Sequence, residues 1–239
     1  MRFIQFSHRI IYLLVFIVSH FTCDSQTVIR ALPRWIVTSL VDFYTPQAPT
    51  NQFIDHDHGG WAFEFQYRLQ YNKPFTAGIF YDQFTLSKYK LTYTQPSGSG
   101  DLEIREKAYT WRIEPGVLVG FYPEVNWQVQ PYILGRMGMA VFQTSSRLED
   151  TEENELIEII RETNSVAPSY GVDLGFHIVP NIWYLRGDFR VGFIGNTSAE
   201  YLILDEENAG DTGYPIDYFL AHTSAGNWLK ISLGISYLF

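Results

Sequence analysis

The sequence is poor in cysteine, in charged residues and in long apolar runs. Cys23 is the only cysteine among 239 residues, which excludes a disulfide framework within the chain. Charged residues make up 18% of the chain, below the roughly 25% usual for soluble domains. The net charge of −9 argues against a nucleic-acid partner, because such proteins carry basic patches. A mean hydropathy near zero excludes a bundle of membrane-spanning helices but not a β-barrel, whose two faces average out.

The longest apolar run lies near the N-terminus and predicts a secretory signal peptide. Basic residues precede the apolar run 10–18, and small residues up to Ser25 offer a cleavage site. We therefore expect a signal peptide over 1–25 and one domain over 26–239. Two alternatives stay open, an uncleaved anchor helix and lipidation of Cys23.

Aromatic residues are abundant, at 17% of the chain, and apolar residues recur at every second position in several segments. Between 61 and 71, for example, tryptophan, phenylalanine, tyrosine and leucine alternate with mostly polar residues. A period of two predicts a strand with one apolar and one polar face. The third of these segments slips in its alternation near Gln83 and Phe84, which predicts a β-bulge there. The predicted strands are 33–43, 61–71, 75–94, 105–121, 126–146, 170–178, 183–193 and 228–239.

The connections alternate between short and long. Short turns on one side and long loops on the other are typical of outer-membrane barrels, whose turns face the periplasm. Aromatic residues near the strand ends predict two interfacial girdles. The short connections are 72–74, 122–125 and 180–182, and the long ones are 44–59, 95–104, 147–168 and 196–227. The predicted girdle residues are Trp35, Trp61, Tyr71, Trp127, Trp183, Tyr237 and Phe239.

The last strand carries a short motif that resembles the C-terminal signal of bacterial outer-membrane barrels. Its residues are Ser232, Gly234, Tyr237 and Phe239. With the strand pattern and the segments 131–135 and 169–175, the chain resembles the small barrels of OmpA, OmpX or OmpW type. The resemblance implies an all-β fold, an eight-stranded antiparallel up-and-down barrel in the outer membrane of a Gram-negative bacterium. It also implies two partners, the outer-membrane lipid and the barrel-assembly machinery that reads the signal during insertion.

If the apolar faces meet lipid, the opposite faces carry a set of charged side chains into the lumen. This set holds both signs, with bases modestly in excess. Eight strands leave an interior that side chains just fill, so these charges must pair. We expect a closed plug of salt bridges, and the alternative is a narrow passage lined by charge. The predicted lumen residues are Glu64, Arg68, Arg112, Glu114, Arg136, Asp173, His177, Arg186, Asp188, Arg190 and Lys230.

Three further motifs give weaker indications of a functional site. The run 55–58 alternates Asp and His but has no third metal-ligating partner, and 205–211 is rich in carboxylates but lacks the spacing of a calcium loop, so no metal or cofactor is predicted. His222 and Ser224 resemble the His-x-Ser pair of outer-membrane lipid A deacylases, where His is the base and Ser the nucleophile. Ala225 stands where that family has Asn, so the deacylase is the least favoured function.

We therefore expect a non-enzymatic integral barrel with a structural, binding or complex-accessory role. Its envelope partner would meet the loops 147–168 and 196–227, the first of them strongly acidic. The alternative from a different class is passage of small or hydrophobic solutes, which the OmpW resemblance implies.

Overall fold

The computed structural model describes residues 34–52, 54, 57–70, 73–97, 100–123, 129–150, 156–178, 184–204 and 219–239. They form a closed barrel in which each strand pairs with the next and the last pairs with the first. The predicted signal peptide lies outside the described residues. The strands are β1 (Trp35–Pro46), β2 (His58–Arg68), β3 (Phe75–Ser97), β4 (Gly100–Phe121), β5 (Val129–Asp150), β6 (Leu156–Ile178), β7 (Leu185–Leu204) and β8 (Phe219–Leu238).

All eight pairings are antiparallel, so the predicted fold class is confirmed. The barrel closes where the C-terminal strand meets the first: the Trp35 amide donates to the Phe239 carbonyl at 2.8 Å, and the Phe239 amide returns the bond at 3.1 Å. No helix among the described residues is long and apolar enough to cross a membrane.

The outer surface carries a broad band of exposed apolar side chains. Met137 is 69% exposed, and Ile79 and Leu174 are each 61% exposed. In water such a surface would favour aggregation, whereas in a bilayer it meets lipid tails. At the end of the barrel where residues 34 and 239 lie, which we call the turn end, the edge of this band is aromatic, with Trp35 packed on Tyr67 at 4.5 Å between ring centroids. Of the predicted girdle residues, Tyr71, Trp127 and Trp183 lie outside the described part of the chain.

Two of the predicted long loops are wrong, because the strands continue through most of them. β3 and β4 run to Ser97 and from Gly100, so the segment 95–104 is a tight hairpin. β5 and β6 together extend over most of 147–168. Beyond the apolar band the outward face carries charged side chains such as Lys88, Lys90 and Arg147, so the strong apolar alternation ends although the backbone pairing does not.

The predicted bulge lies two residues too early. The register of β3 against β4 shifts between Thr85 and Ser87. The alternation of inward and outward side chains continues through Phe84, whose ring points inward and stacks on Tyr44, at 3.9 Å between centroids. Only the alternation of apolar and polar residue types is broken there, because an apolar residue occupies an inward position.

The predicted insertion 196–227 is also largely strand, and its outer part leaves the barrel wall. β6 and β7 pair no further than Ser169 opposite Asn196, and the β7–β8 register then shifts between Asn196 and Ala199. We call the strand segments 199–204 and 219–224 the mouth hairpin.

The mouth hairpin lies across the outer opening of the barrel. The Thr110 hydroxyl of β4 donates to the Leu202 carbonyl at 2.8 Å. The Glu200 amide donates to the Ser165 hydroxyl of β6 at 3.2 Å. Tyr201, Leu202 and Ile203 are all buried although they are consecutive in a strand, so both faces of the hairpin are covered.

Candidate functional site

The candidate site is the interior of the barrel, where the predicted lumen residues lie. All of them are buried except Arg186, which is half-buried and donates to the Gln130 side chain at 2.6 Å. Arg68 lies at the turn end and donates to the Lys73 carbonyl at 2.9 Å. The remaining residues form three clusters along the barrel axis.

The first cluster, toward the turn end, centres on Asp188 and Arg190. The Arg190 Nε and Nη2 atoms each lie 3.0 Å from an Asp188 oxygen, and its Nη1 lies 2.6 Å from Glu64 Oε1. Asp188 and Arg190 are two residues apart in β7, so both face inward. The two-pronged geometry is the strong form of an arginine–carboxylate pair.

The same Asp188 also contacts two hydroxyl groups and an imidazole ring. It accepts hydrogen bonds from the Ser236 hydroxyl at 3.0 Å and from the Tyr132 hydroxyl, and His177 Nε2 lies 3.1 Å away. The His177 ring packs on Tyr132 at 4.6 Å between centroids. The first cluster therefore joins strands β2, β5, β6, β7 and β8.

The second cluster centres on Asp173. Lys230 Nζ lies 3.1 Å and Arg136 Nη1 3.5 Å from Asp173 Oδ2, and Arg136 Nη2 donates to Asp82 at 2.9 Å. The Asp173 carboxylate occupies the space over Gly192, where an added Cβ would lie 1.8 Å from Oδ1. Only glycine at position 192 leaves room for this carboxylate.

Asp42 and Asp82 belong to the second cluster and are absent from the predicted lumen set. Both are fully buried, and the Tyr44 hydroxyl contacts the two carboxylates. The signal was present, since each occupies the inward phase of its strand. The predicted excess of bases is therefore wrong, because these two carboxylates balance it.

The third cluster lies toward the outer end. Arg112 Nη1 is 2.6 Å from Glu114 Oε2, and Glu114 accepts a hydrogen bond from Ser169 at 2.9 Å. The Arg112 guanidinium lies 5.4 Å from the Phe84 ring centroid and 5.0 Å from that of Trp228. Aromatic faces attract such a cation, most strongly where water is excluded.

Two apolar clusters pack against the three charged clusters and fill the space around them. The outer apolar cluster includes Ile54, from the β1–β2 connection, and this connection is fixed to β8 by hydrogen bonds from Gln47 N to Asn227 O at 2.8 Å and from Asn227 N to Thr50 Oγ1 at 2.7 Å. The apolar cluster toward the turn end consists of Ile36, Phe80, Leu118, Tyr122, Tyr132, Leu134 and Leu238. The outer apolar cluster consists of Tyr44, Ile54, Phe84, Leu86, Ala140, Phe142, Ala167, Ile194, Ala199, Tyr201, Ile203 and Trp228.

The residues of the resembled C-terminal signal divide between the two faces of β8. Tyr237 and Phe239 face outward, 45% and 56% exposed, whereas Ser232 is buried. At Gly234 an added Cβ would lie 2.2 Å from the Ser39 carbonyl oxygen, so β1 approaches closely there. Recognition of these residues by the assembly machinery stays a prediction.

The weaker motifs fall in different places. The Ser224 hydroxyl hydrogen-bonds to the Tyr201 hydroxyl within the mouth hairpin, and burial raises the pKa of Tyr201. Asp57 accepts a hydrogen bond from Thr45 at 2.8 Å. Positions 55 and 56 and the run 205–211 lie outside the described residues, and among those described no three metal-ligating side chains converge.

Comparison with known proteins yields neither a matching family nor a matching curated protein. Among solved structures, the chain is similar to Neisserial surface protein A, with 10% identity, 86% of this chain and 97% of that one covered, and a TM-score of 0.47. A major outer membrane protein from Thermus thermophilus is 15% identical, with 86% of this chain and 98% of that one covered and a TM-score of 0.49. OprG from Pseudomonas aeruginosa is 13% identical, with 88% of this chain and 97% of that one covered and a TM-score of 0.37. These values are low, and the architecture rests on the strand pairing itself, which closes eight antiparallel strands into a barrel.

Proposed function

We propose that this chain is an integral outer-membrane barrel with a closed interior, and that it acts by binding an envelope partner. The binding surface would be its outer extensions, which are the parts of β3, β4, β5 and β6 beyond the apolar band together with the mouth hairpin. The observation that carries this proposal is the filled interior, in which buried paired charges pack against two apolar clusters. A solute would have to displace these apolar side chains and separate buried ion pairs, each separation costing roughly 3–5 kcal/mol.

The outer extensions support a binding role because their backbone is held in hydrogen-bonded strands. β3–β4 and β5–β6 continue as paired strands well past the apolar band, and the mouth hairpin is anchored on both faces. Paired strands hold a surface in a fixed shape, so a partner meets it with little ordering cost.

The alternative functions receive less support. Passage of small or hydrophobic solutes would require the mouth hairpin and the connection that carries Ile54 to move together. The hydrogen bond between Ser224 and Tyr201 favours a role for Ser224 in holding the hairpin, rather than as the nucleophile of a deacylase.

Site-specific photo-crosslinking in native membranes tests the binding role. A photoreactive residue replaces Thr94 or Leu220, both exposed on the outer extensions, and the matched control replaces Lys73, exposed in a turn at the opposite end. We expect a discrete protein adduct from the outer positions only. Adducts of equal yield at Lys73, or none at either outer position, would contradict the proposal.

A further inference from the structure

A group of cations lies on the outward face of β3, β4 and β5, beyond the apolar band. Inward-facing neighbours in these strands, such as Glu106 and Ser146, are fully buried, whereas Lys88, Lys90 and Arg147 are exposed. The chain as a whole has 26 acidic and only 17 basic residues, so a local excess of cations is unexpected. We call this group the basic face, and its members are Lys88, Lys90, Arg105, Lys107 and Arg147.

The strand register aligns three of these cations in one row. Lys90 is directly opposite Lys107, and Lys107 is directly opposite Arg147. Residues directly opposite each other have Cβ atoms roughly 5 Å apart, and like charges in such positions repel. A row of this kind is therefore costly unless an anion neutralises it.

The described part of the protein neutralises the row only in part. Glu149 lies 2.5 Å from Lys107 Nζ. Among the described side chains, no carboxylate pairs with Lys88, Lys90 or Arg147. Lys88, Lys90 and Arg147 thus point outward without a carboxylate partner among the described side chains.

The height of the basic face identifies the chemistry of that anion. Tyr109 is directly opposite Lys88, and it stacks on Trp111 with ring centroids 5.4 Å apart and planes 6° apart. Aromatic side chains of this kind mark the level of the lipid headgroups. The row formed by Lys90, Lys107 and Arg147 is the next outward-facing row beyond Tyr109, so it lies where headgroup phosphates are found.

We infer that the basic face binds the phosphate groups of a phosphorylated lipid in the leaflet that faces the outer extensions. This inference rests on the membrane location proposed above. The cationic row then has two consequences: it fixes the depth of the barrel in the bilayer, and it recruits a shell of anionic lipid on one side only.

The test measures binding of bis-phosphorylated lipid A to the full chain, refolded in a neutral detergent, by native mass spectrometry. The double variant Lys90→Gln/Arg147→Gln removes two cations but keeps Lys107 with its partner Glu149. Each basic residue near a lipid surface contributes about 1 kcal/mol, so we expect the double variant to bind about tenfold or more weakly. Lys73→Gln, at the opposite end, should bind as the wild type does.

Three further arms make the test decisive. Lipid A stripped of its phosphates should bind the wild type no better than it binds the double variant. Equal binding of stripped and phosphorylated lipid would overturn the inference, and so would a double variant that binds like the wild type. Inorganic phosphate or a polyglutamate peptide that competes fully at low concentration would instead assign the face to a soluble anion or an acidic protein. Insertion into vesicles, measured on every variant, separates a failure of this inference from a failure of the proposed membrane location.

Discussion

At the scale of single residues, the interior is held by carboxylates that each serve several partners. Asp173 contacts both Arg136 and Lys230, and Asp188 contacts Arg190, two hydroxyl groups and the His177 ring. Such groups tolerate substitution poorly, because the loss of one partner leaves the others buried and uncompensated.

Gly192→Ala is expected to destabilise the barrel by roughly 1–3 kcal/mol, because the new methyl group collides with the Asp173 carboxylate. Urea unfolding in phospholipid vesicles measures the change. Gly187→Ala in the same strand is the matched control, since its added Cβ meets nothing closer than 3.7 Å. An equal loss in both variants would show that the loss comes from replacing any glycine of this strand, and not from the collision with the Asp173 carboxylate.

Arg190→Met is expected to cost about 3–5 kcal/mol, because it leaves Glu64 and Asp188 without their shared cation. Adding Glu64→Gln should recover part of that loss, since one of the two orphaned charges is then gone. A double-mutant cycle from vesicle unfolding gives the coupling energy. The 2.6 Å separation indicates that Glu64 and Arg190 interact, and additive losses in the cycle would contradict this.

At the scale of elements, the mouth hairpin is the feature that sequence periodicity fails to predict. The membrane-spanning parts were predictable because lipid on one side and a polar interior on the other impose a period of two. In the mouth hairpin Tyr201, Leu202 and Ile203 are all buried, so no alternation appears. The sequence also could not predict which lumen charges pair, because contacts across the barrel depend on the register in which it closes. Asp42 and Asp82, in contrast, could have been predicted to face the lumen, because they occupy inward positions of their strands.

Leu202→Asp is expected to release the mouth hairpin, because it places a charge in the apolar cluster with Ala108 and Phe219. Hydrogen exchange should accelerate across the hairpin while β1 and β2 stay protected. Leu220→Asp is the control, since Leu220 in the same hairpin is 49% exposed. Unchanged exchange in Leu202→Asp would mean that the hairpin does not depend on this cluster.

At the scale of the whole molecule, an apolar exterior surrounds an interior filled by paired charges and apolar side chains. Removing ionised groups from water is costly, so the three clusters must remain paired for the barrel to be stable. We propose that this requirement links stability with impermeability, since whatever opens a path for ions also separates the pairs. The proposed closed state then follows from the interior as a whole and not from one gate.

Single-channel recording of the refolded protein in planar bilayers tests this central claim most directly. We predict no discrete openings for the wild type over a broad range of voltage and salt concentration, with insertion verified independently in the same lipid. Reproducible unitary openings would contradict the closed interior and would assign the inward arginine and carboxylate side chains to ion selectivity.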